Sequence, residues 1–110
     1  MLPKINRLTK EKDFEEIFKK GQSVKIDFLI FKILKNQLKE SRFGFVVSKK
    51  VSNKATIRNK VKRRLRSIVS KELNNIKHHK DVVIIALAGI EKKEFFEIQN
   101  MIGSFFKKYN

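Results

Sequence analysis

Six of the nine residues from Arg58 to Arg66 are basic: Arg58, Lys60, Lys62, Arg63, Arg64 and Arg66. The chemistry such a run can perform is neutralisation of phosphates. A helix whose charged face served only solubility would carry acids three or four positions from these bases, yet the first acid downstream is Glu72. Like charges this close repel one another unless an anion lies on them.

Bond-breaking chemistry finds no comparable support. The 11 acids are scattered, and Glu15 and Glu16, neighbours in sequence, point apart on a helix. The only histidines, His78 and His79, sit in a polar linker without the spaced partners of a metal site or proton shuttle. Ser48 and Ser52 have no base nearby in sequence, no glycine-rich loop has phosphate-cradling spacing, and there is no cysteine for a thiolate, a disulfide or a Cys-based zinc module. The expectation is that the chain has no catalytic group and no metal site of its own.

The basic run must be carried by a helix. Ile57, Val61, Leu65, Ile68 and Val69 fall within about a third of a turn at helical spacing, a width suited to burial, and Asn59, Lys62, Arg63 and Arg66 take the opposite side. Thr56 is the expected cap, and the helix should continue to Asn74 or Asn75. Before it lies the basic loop Lys49 to Lys54. A first helix is expected from a Thr9 cap to Lys20, with Glu11 and Asp13 in its first turn and Gly21 at its end. Its stripe Phe14, Ile17, Phe18 has the spacing of core packing. From Val24 to Leu34 both parities are apolar, with Asp27 as the point where the run can divide into a short strand and a longer one. Asn36 to Ser41 is a polar turn, Arg42 to Ser48 a strand, and a hairpin is the natural connection between these runs. After the linker Lys77-His78-His79-Lys80, Val82 to Ala88 shows no alternation and reads as a strand covered on both faces. Strand, basic helix and buried strand form a crossover unit, so the strands from Arg42 and Val82 should be parallel in one sheet. A last helix over Glu91 to Lys108 turns Phe95, Ile98, Met101, Ile102, Phe105 and Phe106 toward that sheet. The fold class is α+β, a small mixed sheet of about four strands with three helices.

At 110 residues the chain is one domain with a modest core. Lys and Arg number 27 against 11 acids, a formal charge of +16, which calls for a polyanion: nucleic acid or an anionic membrane. The longest apolar run, Val82 to Ile90, is far short of the roughly 20 residues a spanning helix needs. Met1 to Lys4 leads into a charged segment rather than an apolar one, so no secretory signal is read and a cytoplasmic location without membrane partners is expected.

The stretch Ala55-Thr56-Ile57-Arg58-Asn59-Lys60-Val61-Lys62-Arg63-Arg64-Leu65-Arg66 resembles the signature of the protein subunit of bacterial ribonuclease P. Arg7-Leu8, Asp13-Phe14, Phe18 and Gly21 are similar to that family's N-terminal pattern, and Gly44 with Val47-Ser48-Lys49-Lys50 to the strand before its basic loop. The likeness runs over nearly the whole chain, the last helix matching in character more than in motif. It departs at Lys60, where the family usually has Arg; at Ser67, where an acid often follows; and in the loop Ser52-Asn53-Lys54, one residue longer than usual. The resemblance implies three helices on four strands with a left-handed crossover through the basic helix. It implies binding of the catalytic RNA by Arg58, Asn59, Lys60, Lys62, Arg63 and Arg66. It also implies a cleft for the 5′ leader of precursor tRNA, with Phe14, Phe18 and Phe31 as walls and Arg7, Lys49 and Lys50 nearby. Mg2+ would act with the RNA subunit, no cofactor would be held by the protein alone, and the free protein would be a monomer. Two other readings share the basic helix: a structural RNA-binding protein such as a ribosomal component, and a helix that reads duplex DNA. Both would bury Phe14, Phe18 and Phe31 as core.

Overall fold

A computed structural model describes residues 2–76 and 79–109. Its elements are α1 (Glu11–Lys20), β1 (Gln22–Ile26), β2 (Leu29–Lys35), β3 (Arg42–Val46), α2 (Ala55–Glu72), β4 (Lys80–Ala86) and α3 (Phe95–Tyr109). Lys77 and His78, in the linker before β4, lie outside the described residues.

The unalternating run of β4 decides the architecture. Covered on both faces, with Val82, Val83 and Ile84 almost wholly buried, it takes an inner position and separates β2 from β3. The strand order is β1-β2-β4-β3, with β4 antiparallel to β2 and parallel to β3. The parallel pair is as expected, whereas the hairpin between the runs from Val24 and Arg42 is not formed. The hairpin lies instead inside the first run, where β1 pairs with β2. Asp27, at φ +50, makes its turn, a conformation Asp tolerates better than most residues.

One face of the sheet is covered by α2 and α3. Phe31, Phe43 and Ile84 meet Val61, Leu65, Ile68, Ile102 and Phe105 there. The ring of Phe31 stacks on Phe105 with centroids 4.0 Å apart, and Phe106 packs edge-on to both Phe43 and Phe105. Among the described residues the other face carries α1 and the N-terminal segment: buried Ile17 joins Leu8 and Val83, with Phe14, Leu34, Val46 and Ile85 packed around them.

Helix ends differ from expectation in detail. Neither Thr9 nor Thr56 caps: α1 begins after Lys10 and α2 after Lys54, both without a side-chain cap, and α2 ends at Glu72 before a 3-10 turn. The last helix starts at Phe95, because a 3-10 turn over Ile90–Lys92 precedes it. Gly21 ends α1, and what requires glycine there is space. A Cβ would stand 2.5 Å from the Ile17 carbonyl oxygen.

Candidate nucleic-acid interface

The buried stripe of α2 (Val61, Leu65, Ile68, Val69) fixes the rotation of the helix and hence which bases reach solvent. Asn59, Lys60, Arg63 and Arg66 are exposed and follow one another around the outer face, with Lys62 half-buried beside them. Among the described residues no carboxylate lies within ion-pair distance of any basic residue of α2. Two arginines are used inward. Arg58 donates from Nη1 to the carbonyl oxygens of Ser52 and Asn53, each at 3.0 Å. Arg64 donates from Nη1 to the Lys93 carbonyl at 3.3 Å and so ties α2 to the turn before α3. A helical wheel marks both only as basic.

Arg66 leads to the second part of the surface. Its guanidinium carbon lies 5.9 Å from the centroid of the Phe45 ring, at the free edge of β3. Along that edge the N-terminal segment adds a short parallel bridge, Arg7 against Phe43, with the Leu8 amide donating to the Phe43 carbonyl at 2.9 Å. A pocket opens here between Arg7, Thr9, Phe14, Gly44 and Arg66. The outer face of α2 and the N-terminal side of α1 therefore meet in one place.

The position of α1 over the sheet is set by an ion-pair network. Arg42 and Asp81 are register partners on β3 and β4 and form a two-pronged contact, Nη2 to Oδ2 at 2.6 Å and Nε to Oδ1 at 2.9 Å. The remaining prong of Arg42 reaches Asp13 of α1 at 3.2 Å, and Asn36 donates to Asp81 Oδ1 at 2.7 Å. The hydrogen bond to Asp81 holds the Arg42 guanidinium above the usual arginine range. The cation is thus fully present at every pH below that range.

Of the three phenylalanines expected as cleft walls, two lie on the α1 face. Phe18 is 43% exposed, and Phe14 is half-buried against Gly44. Phe31 is a correction: it is fully buried under Phe105 on the opposite face. The reason is the two-residue period of a strand. With Leu29, Phe31 and Ile33 turned to the α2/α3 core, β2 gives Ile30, Lys32 and Leu34 to the α1 face. Ile30 and Lys32 are half-buried, opposite Ile85 and Val83 of β4. The sequence reading missed both, although parity counted from either core residue would have found them. Arg7 is exposed at the N-terminal bridge, its Nε donating to the Leu2 carbonyl at 2.8 Å. Lys49 and Lys50 are exposed in the turn after β3.

His79 is exposed and contacts the Leu38 carbonyl through Nδ1 at 3.1 Å, while His78 lies outside the described residues. Among the described residues no three His, Asp or Glu side chains gather as a metal site, and no helix is long and apolar enough to cross a membrane.

The whole described fold can be set beside known proteins. A family model described as ribonuclease P matches residues 2–110. The ribonuclease P protein component of Syntrophomonas wolfei is 39% identical over 95 residues, covering 86% of this chain and 79% of the relative. That of Alkaliphilus oremlandii is 40% identical over 108 residues, 96% of this chain and 92% of the relative. The solved RNase P protein of Thermotoga maritima superposes with a TM-score of 0.85 at 30% identity, over 94% of this chain and 97% of that one. The Staphylococcus aureus RNase P protein gives 0.83 at 32% identity, over 93% of each.

Proposed function

The chain belongs to the ribonuclease P protein family, and from that premise we propose a division of labour between its surfaces. Members are the protein component of an endoribonuclease whose catalytic RNA is a separate molecule, and their role is RNA binding and tRNA 5′ processing. The partner of this chain is accordingly a ribonuclease P RNA.

In our reading the outer face of α2 (Asn59, Lys60, Lys62, Arg63, Arg66) takes phosphates of that RNA. The α1 face takes the single-stranded 5′ leader of precursor tRNA, with Phe14 and Phe18 as aromatic walls, Ile30 as floor, and Arg7 and Lys32 as phosphate partners, while Lys49 and Lys50 in the adjoining turn reach phosphates of the ribonuclease P RNA as well as the leader. The observation that carries this reading is the 43% exposure of Phe18 on a helix whose neighbouring Ile17 is wholly buried. A ring left on that surface is available to stack on a base. Grip without base-specific hydrogen bonds suits a leader of varied sequence. Mg2+ acts with the RNA subunit, since the acids of this chain are either dispersed or, like Asp13 and Asp81, engaged by Arg42. The free protein is a cytoplasmic monomer in this reading.

The test is reconstitution with a ribonuclease P RNA. The protein should lower the Mg2+ concentration needed for 5′ maturation of precursor tRNA, and the protein alone should be inert at any Mg2+ concentration. Cleavage by the RNA-free protein, or equal binding of precursor and mature tRNA by the holoenzyme, would sink the proposal.

A further inference from the structure

Arg58 opens the basic run, and by its type it reads as one more phosphate ligand. Its geometry says otherwise. The turn that joins β3 to α2 must carry Lys49, Lys50 and Lys54, all exposed and none within ion-pair distance of a carboxylate among the described residues. Three like charges in one short turn push it open. At one point the turn is anchored by Val51, 5% exposed in the core. Ser48 and Ser52 brace it locally, their hydroxyls accepting from the Lys50 and Lys54 amides. The segment after Val51 is held from the helix by Arg58, whose Nη1 spends both hydrogens on the Ser52 and Asn53 carbonyls.

We propose that Arg58 is a positioning residue of the RNA interface: its grip on the Ser52 and Asn53 carbonyls fixes the basic turn so that Lys49, Lys50 and Lys54 engage RNA phosphates as a set. The inference rests on the basic surface being the RNA-binding surface, and it divides the basic run by task. Lys60, Arg63 and Arg66 supply charge to the RNA. Arg58 supplies geometry to charges carried elsewhere.

Arg58→Lys separates the two roles, because an ammonium keeps the charge and remains a competent phosphate contact but sits one bond closer to the backbone than Nη1 and lacks the rigid planar group that aims its N–H bonds at the two carbonyls. Binding to a ribonuclease P RNA is measured over a range of salt for four proteins. These are the wild type, Arg58→Lys, the triple variant Lys49→Ala, Lys50→Ala, Lys54→Ala, and the combination of all four changes. Each phosphate contact contributes about 0.7 to 0.9 to the slope of log affinity against log salt. A direct contact predicts that Arg58→Lys keeps the wild-type slope. Positioning predicts that it loses about one unit or more, and that the same change made in the triple variant alters neither slope nor affinity. Amide hydrogen exchange of the free protein should show faster exchange at Asn53 and Lys54 in Arg58→Lys, a readout that holds even if the melting point also falls. A wild-type slope in Arg58→Lys, an equal loss in the lysine-free turn, or unchanged exchange would each overturn the proposal. A near-zero slope in the wild type would instead remove the RNA-binding reading beneath it.

Discussion

The ring of Phe14 lies against the backbone of Gly44 so closely that a Cβ on Gly44 would stand 2.5 Å from both Cε1 and Cζ of the ring. The contact joins α1 to β3 at the pocket shared by Arg7 and Arg66. Glycine is required there for space. Gly44→Ala should displace the ring or the helix and cost about 1 to 3 kcal/mol, the usual range for overpacking. Thermal melting of Gly44→Ala, Phe14→Ala and the double variant checks it. The alanine at 44 should cost clearly less once the ring is gone, and additive losses would show that the contact is not the cause.

Phe18 and Phe31 should behave as opposites. Phe18→Ala should leave the melting point nearly unchanged and weaken precursor tRNA relative to mature tRNA. The expected factor runs from about fivefold to more than a hundredfold, because stacking on a base is worth roughly 1 to 3 kcal/mol. Phe31→Ala removes a ring from the Phe105 stack and should cost about 3 to 5 kcal/mol of stability. A destabilised Phe18→Ala with unchanged discrimination would return Phe18 to the core.

The two arginines Arg63 and Arg64, adjacent in sequence, should also separate. Arg63 is exposed, so Arg63→Ala should reduce the salt slope of RNA binding by about 0.7 to 0.9 and leave folding intact. Arg64 donates to the Lys93 carbonyl, so Arg64→Ala should lower the melting point by loosening α2 from the turn before α3. A larger slope change for Arg64→Ala than for Arg63→Ala would reverse the assignment.

Arg42→Ala strands the carboxylate of Asp81, 5% exposed, without its cation. Removing one partner of such a pair costs about 3 to 5 kcal/mol. Asp13→Asn leaves the Arg42 to Asp81 contact whole and loosens only α1. It should cost less stability than Arg42→Ala, about 1 kcal/mol for a part-buried contact at 3.2 Å, and should reduce discrimination between precursor and mature tRNA in the manner of Phe18→Ala. Chemical denaturation and tRNA binding, run side by side, distinguish the two variants.

The sequence by itself determined what repeats at a fixed period. The apolar stripe of α2 and the aromatic face of α3 follow from a spacing of 3.6, the parallel pairing of β3 with β4 from the order strand, helix, buried strand, and the polyanion partner from a charge of +16. Periodicity says which residues share a face, but not which element that face will meet. Phe31 and Lys32 lie in a run apolar on both parities, and only the docking of α3 on one side and α1 on the other assigned Phe31 to the core and Lys32 to the open face. The strand order was equally undetermined, since the run from Val24 and the strand from Arg42 are close in sequence yet β4 separates them. Long cationic side chains set the other limit. Their heads lie several bonds from the backbone that carries the period, so Arg58 and Arg64 turned to nearby carbonyls while Lys60 and Arg63 stayed in solvent. Which guanidinium serves the RNA and which the fold was decided by the loops that packed beside them.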